Sequence, residues 1–129
     1  MITGSIVALI TPFDEDGNVS YDRLAGLVEW HISEKTDGIL VLGTTAETPT
    51  LTDEEDERIV RKVIEKAGGR VPVIAGSGSN NTQMCIEKSL KYQNMGADAL
   101  LVITPYYNKT NKEGLFRHFT AVADAVDIP

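Results

Sequence analysis

The residues best suited to chemistry in this chain are two adjacent threonines behind a glycine, Gly43-Thr44-Thr45. Glycine lets the backbone approach a bound molecule closely. The threonines add two hydroxyls and two N–H donors, a set that suits holding a carboxylate and passing a proton. An ordinary turn uses the same residues, with the hydroxyls spent on local backbone groups, and position alone leaves the two readings level. The second candidate is Tyr106-Tyr107, which follows Thr104-Pro105. A tyrosine hydroxyl beside threonine hydroxyls makes a proton relay. Packing against a neighbour is the plainer role of a tyrosine pair, and for Tyr106 it is the favoured one.

Other motifs carry less. Gly76-x-Gly78 resembles the start of a phosphate loop, but Asn81 stands where the third glycine belongs, so a structural turn is expected. His31 and His118 fall inside helical patterns, and Cys85 is the only cysteine. No close ligand spacing exists, and no metal site is expected. The acidic run Asp53 to Glu57 reads as the first turn of a helix, where the macrodipole favours negative charge. The lysines at 35, 62, 66, 88, 91, 109 and 112 lie on or beside helices or in a loop. None falls on a strand pointing inward, where burial lowers an amine's pKa enough for imine chemistry.

Four apolar runs must position these candidates: Ser5 to Ile10, Gly38 to Gly43, Val71 to Gly76 and Ala99 to Thr104. They are continuous rather than alternating, which predicts parallel strands buried on both faces. Helical patterns lie between them. Ser20 is the expected cap of the first, with Leu24, Leu27, Val28 and His31 on one face. Thr52 and Glu55 form a capping box for the second, whose stripe is Ile59, Val60, Val63 and Ile64 and whose stop is Gly68-Gly69. The third runs from Asn81-Thr82 to Gly96, with Ile86 and Leu90 inward. Thr110 and Glu113 repeat the capping-box pattern for the fourth, which carries Leu115, Phe116, Phe119, Val122 and Val126. The spacing is that of a strand-helix step, so residues 1–129 read as one segment of four βα units. In such folds ligands bind at the carboxyl ends of the strands, where the glycine-threonine and tyrosine pairs fall. An open doubly wound sheet would leave edges to protect, whereas a barrel closes them. A complete barrel takes about 250 residues.

The formal net charge of −7 argues against binding a phosphate backbone, so no nucleic-acid partner is expected. The run Ile6 to Ile10 is too short to span a bilayer and follows no basic segment, so no membrane partner is expected. A lone cysteine forms no internal disulfide, and a cytoplasmic location is the expectation.

In its motifs the chain resembles the dihydrodipicolinate synthase (4-hydroxy-tetrahydrodipicolinate synthase) family, within the pyruvate-dependent class I aldolases that include N-acetylneuraminate lyase. The matching pieces are Thr3-Gly-Ser-Ile-Val-Ala-Leu-Ile-Thr-Pro-Phe13, Gly43-Thr-Thr-Ala-Glu47, Val73-Ile-Ala-Gly-Ser-Gly78 and Thr104-Pro-Tyr-Tyr-Asn108 followed by Glu113-Gly114. The resemblance implies an α/β fold, the N-terminal half of a TIM (β/α)₈ barrel with its C-terminal half absent from these residues. It implies condensation of pyruvate with L-aspartate 4-semialdehyde through a lysine Schiff base on the diaminopimelate route to lysine, without a cofactor. Thr44 matches the relay threonine, Thr45 the residue that holds the pyruvate carboxylate, and Tyr107 a tyrosine that reaches into a partner's site. Asn80, Met84 and Tyr106 match positions at the interface where lysine regulates some members. Met84 stands where a carboxylate is typical, and Asp53 and Asp56 where histidines often occur, so weak or no lysine inhibition is expected. Ala46 replaces a usual glycine. The imine lysine matches no residue here, so the chain alone is expected to be inactive. A homo-oligomer, dimer or tetramer, is the implied assembly, or a complementing C-terminal half. Another pyruvate aldolase and a self-associating, non-catalytic half-barrel remain as alternatives.

Overall fold

The computed structural model describes residues 1–129. Four strands, β1 (Ile6–Ala8), β2 (Gly38–Val41), β3 (Val73–Gly76) and β4 (Ala99–Leu101), alternate with four helices, α1 (Tyr21–Ser33), α2 (Asp53–Ala67), α3 (Thr82–Met95) and α4 (Lys112–Ala123). The strands are parallel and ordered 1-2-3-4, without the strand-order reversal of a doubly wound sheet. Each crossover is therefore the same step. Right-handed steps of one kind put every helix on one side, and consecutive helices pack against each other. The result is an arc of a barrel wall.

The strands are not covered on both faces, contrary to the expectation from their continuous apolar runs. Ile39, Val41, Val73 and Ala75 face the helices and are buried. Their neighbours face the concave side. Ile6, Ile10, Leu101 and Ile103 are between 41% and 50% exposed, because nothing lies over that side. The core lies between sheet and helices, built from Leu9, Leu24, Val28, Ile59, Val60, Val63 and Tyr92 among others.

Helix ends follow local chemistry. The capping box on α2 forms as expected: Thr52 Oγ1 accepts from the Glu55 N–H, and the Glu55 carboxylate accepts from the Thr52 N–H at 2.9 Å. Ser20 is the N-cap of α1, but its hydroxyl makes no capping bond. Two expectations are corrected. The inward face of α3 is Cys85, Ser89 and Tyr92, whereas Leu90 is exposed. Ser89 is tolerated inside because it bonds the buried Ser77 hydroxyl at 2.8 Å. On α4 the cap is Asn111, whose carboxamide oxygen accepts from the Gly114 N–H at 2.8 Å. The Thr110–Glu113 box does not form; Glu113 pairs with Arg117 instead. The α4 residues buried are His118 and Val122, and Phe116 is 67% exposed.

At the amino ends of the strands, aspartates set the register. Asp37, just before β2, accepts from the Ser5 N–H at the start of β1 at 2.7 Å. Asp98, just before β4, accepts from the Val73 N–H at the start of β3 at 2.8 Å. Gly4 makes the first contact feasible: a Cβ there would collide with the Asp37 carboxylate, and its φ is +97°. No helix is long and apolar enough to cross a membrane.

Candidate active site at the strand tips

Strand β2 leaves the sheet through an abrupt turn. Leu42 takes a left-handed backbone, φ 57°, and its carbonyl lies so close to Gly76 that a Cβ there would collide with it. Gly43 then begins a short 3₁₀ turn over Thr44–Ala46, which ends at Glu47, also left-handed at φ 58°. Left-handed non-glycine residues are uncommon and tend to gather at functional sites. Ala46 lies within the turn, with no positive φ, so its methyl is accommodated and is buried at 1% exposure.

The hydroxyls around this turn divide into two sets. Thr11, at the tip of β1, donates to the Ala46 carbonyl at 2.7 Å and is buried. Thr48 donates to the Gly43 carbonyl at 3.1 Å, and Thr50 to the Glu47 carbonyl at 2.8 Å. Local backbone groups are therefore satisfied by other threonines. Thr44 and Thr45 are exposed, and their hydroxyls bond to nothing else in the chain. The turn is built by its neighbours and offers these two outward.

A cavity of about 460 Å³ opens beside the turn, lined by Thr44, Thr48, Gly76, Gly78, Met84, Lys88, Ile103 and Tyr106 among others. The structure thus brings Thr44 together with Met84 and Tyr106. Thr45 and Tyr107 do not line this cavity. Tyr107 is fully exposed and carries a left-handed φ of 67°. Asn80 joins Tyr106 through its side chain, which donates to the Tyr106 carbonyl at 3.2 Å.

The ion pair behind the cavity is not visible in the sequence. Asp56, expected in the acidic first turn of a helix and at a position where histidines often occur, is 1% exposed. Lys88 donates to Asp56 Oδ2 at 2.9 Å and lies 3.2 Å from Asp53 Oδ1. Burial pushes the Asp56 carboxyl above its ordinary range, more than the Lys88 hydrogen bond and charge draw it down. Burial also works against the Lys88 charge, but the two carboxylates outweigh it and hold the ammonium above its ordinary range. Asp56 Oδ1 has no hydrogen-bond partner. The available signal was spacing: Asp53 and Asp56 share one face of α2, and a lysine on the adjacent α3 can meet both. Lys88 is the one lysine lining the cavity, and a firmly protonated amine is a poor nucleophile, so it is unsuited to imine formation. The structure shows no cluster of His, Cys, Asp and Glu able to hold a metal ion.

The model of the dihydrodipicolinate synthetase family matches residues 1–129. The chain is similar to the 4-hydroxy-tetrahydrodipicolinate synthase of Thermoanaerobacter sp. (strain X514), at 56% identity over 98% of this chain and 42% of the relative. It is also similar to that of Agrobacterium fabrum (strain C58 / ATCC 33970), at 56% identity over 100% and 44%. Among solved structures, the chloride-inhibited dihydrodipicolinate synthase from Acinetobacter baumannii complexed with pyruvate superposes with a TM-score of 0.98 at 46% identity, over 100% of this chain and 44% of that one. The chain spans less than half the length of the curated relatives it matches, and its four βα units correspond to the N-terminal part of their barrel.

Proposed function

The chain belongs to the dihydrodipicolinate synthetase family, and on that premise we propose that residues 1–129 form the N-terminal part of a 4-hydroxy-tetrahydrodipicolinate synthase. The reaction condenses pyruvate with L-aspartate 4-semialdehyde. The neutral amine of a lysine outside these residues attacks the pyruvate ketone carbon, and the resulting carbinolamine loses the ketone oxygen as water to leave an imine, which removes the need for an organic cofactor. Thr45 holds the pyruvate carboxylate with its hydroxyl. Thr44 accepts and returns protons in a relay that Tyr107, donated across a subunit interface, continues. The working assembly is a homo-oligomer, dimer or tetramer, and the location is cytoplasmic.

The observation that carries this reading is the division of the threonine hydroxyls. Thr11, Thr48 and Thr50 are spent on the turn's own carbonyls, and Thr44 and Thr45 are left for something outside the chain. A turn that merely needed capping would have used them. The full exposure of Tyr107 argues in the same direction, because a phenol with no contact in its own subunit is placed to serve another.

The test is direct. The full-length protein is incubated with pyruvate and reduced with borohydride, then assayed with aspartate semialdehyde and, separately, N-acetylneuraminate. A trapped pyruvate adduct on a lysine beyond residue 129, with turnover of the semialdehyde alone, supports the proposal. The polypeptide of residues 1–129 by itself should trap nothing. An adduct on Lys88, or turnover of N-acetylneuraminate in preference, would overturn it.

A further inference from the structure

The segment between β4 and α4 turns sharply at Tyr107. The Asn108 N–H donates to the Tyr106 carbonyl at 2.8 Å, closing a three-residue turn around Tyr107. With φ at 67° this turn has the hand that is rare and strained for a residue with a side chain. Strained backbone persists only where its surroundings over-determine it. Two carboxamides do this here. Asn108 Nδ2 donates to the Asn80 carbonyl at 3.0 Å, and Asn80 Nδ2 donates to the Tyr106 carbonyl at 3.2 Å. The bonds run from 106 to 108 to 80 and back to 106, a closed ring around a residue whose own side chain takes no part.

The ring has a firm base. Asn80 directly precedes the α3 N-cap, Asn81. Two residues on, Thr82 Oγ1 lies 2.9 Å from Nδ1 of the buried His118 on α4. The start of α3, directly after Asn80, is thus tied to the middle of α4, the helix that follows the loop.

We infer that Asn80 and Asn108 are positioning residues that lock the backbone of Tyr107 so that its phenol projects out of the subunit. Their chemistry is specific. Each must donate through its side chain, and an aspartate of the same shape cannot. The inference rests on the reading of Tyr107 as a relay residue, and the experiment separates the two.

In the full-length enzyme, kcat and the KM for pyruvate are measured for Tyr107→Phe, Asn80→Ala, Asn108→Ala, Asn108→Asp and the double variant Asn108→Ala/Tyr107→Phe. Tyr107→Phe should lower kcat. Asn80→Ala, Asn108→Ala and Asn108→Asp should each lower kcat roughly tenfold, with little change in KM, since small misplacement of a reacting group slows the chemistry. With no hydroxyl left to position, Asn108→Ala should have no further effect in the Tyr107→Phe background. A merely structural residue would lower activity in both backgrounds. Wild-type kcat in Tyr107→Phe would overturn the reading of Tyr107 and this inference with it. A slowed Tyr107→Phe would leave that reading standing, and the inference would then be overturned by undiminished kcat in the asparagine variants or by an equal loss in both backgrounds.

Discussion

Thr11 and Thr44 are the same residue type at neighbouring strand tips, yet their hydroxyls have opposite fates. The Thr11 hydroxyl is buried on the Ala46 carbonyl, and that of Thr44 has no partner. Their valine variants should therefore separate stability from activity. Thr11→Val leaves a buried carbonyl without its donor and should lower the free energy of unfolding by about 1–3 kcal/mol. Thr44→Val should leave the melting temperature unchanged while kcat falls on the order of 10²-fold, the scale of a lost acid–base group. Denaturant titration and steady-state kinetics on the full-length protein read both. Lys88 makes a second prediction. Lys88→Met strands a buried carboxylate and should cost about 3 kcal/mol at neutral pH. Because burial raises the folded pKa of Asp56, its stabilising contribution is full below the ordinary carboxylate value and is lost as pH rises through the raised one. The defect of Lys88→Met should thus shrink on acidification and return on neutralisation, followed by denaturation at stepped pH. The same pair bears on regulation. Asp53 and Asp56 are already engaged by Lys88, and Met84 offers no carboxylate, so the full-length enzyme should keep its rate in sub-millimolar lysine.

At the scale of the element, the amino end of β1 depends on a residue two elements away. Gly4→Ala would push a methyl into the Asp37 carboxylate at a positive φ. It should destabilise by about 2 kcal/mol through strain and the lost Ser5 bond. Asp37→Ala should cost less, and the double variant should fall short of the sum, because both changes break one contact. Denaturant midpoints of the three variants check this. The elements themselves were legible where one segment decides its own structure. The Thr52–Glu55 box and the Gly68 stop of α2 depend on nothing outside that helix, and both are present. Legibility failed where a distant partner decides. A polar Ser89 can lie inward only because the buried Ser77 hydroxyl meets it from 12 residues away, and that contact turns Leu90 outward. Asn111 outcompetes Thr110 for the start of α4, a choice between adjacent caps that spacing does not distinguish. The pairing of Asp56 with Lys88 joins residues 32 positions apart, and no local pattern contains it. The glycine-threonine turn is visible in the sequence as a turn at a strand tip, but which threonines cap it is not: Thr11, Thr48 and Thr50 do so from outside the pair.

For the whole molecule, the decisive feature is a sheet with one covered face. The continuous apolar strands are composed for burial on both sides, and the concave side carries Ile6, Ile10, Leu101 and Ile103 in the open. The polypeptide of residues 1–129, made alone, should self-associate, since open apolar patches and unpaired strand edges both favour it. Sedimentation velocity should show species heavier than 14.0 kDa, and a sharp, concentration-independent monomer would contradict this. The aspartate contacts divide the arc further. Asp37 ties β1 to the start of β2, and Asp98 ties β3 to the start of β4. The junction between β2 and β3, at Arg70-Val71-Pro72, has no acidic residue to do the same. Each tie is supplied by the later strand of its pair, so an earlier strand cannot be fastened until its successor has been synthesised. A nascent chain leaving the ribosome should consequently gain resistance to protease in two instalments, one after β2 and one after β4, rather than four.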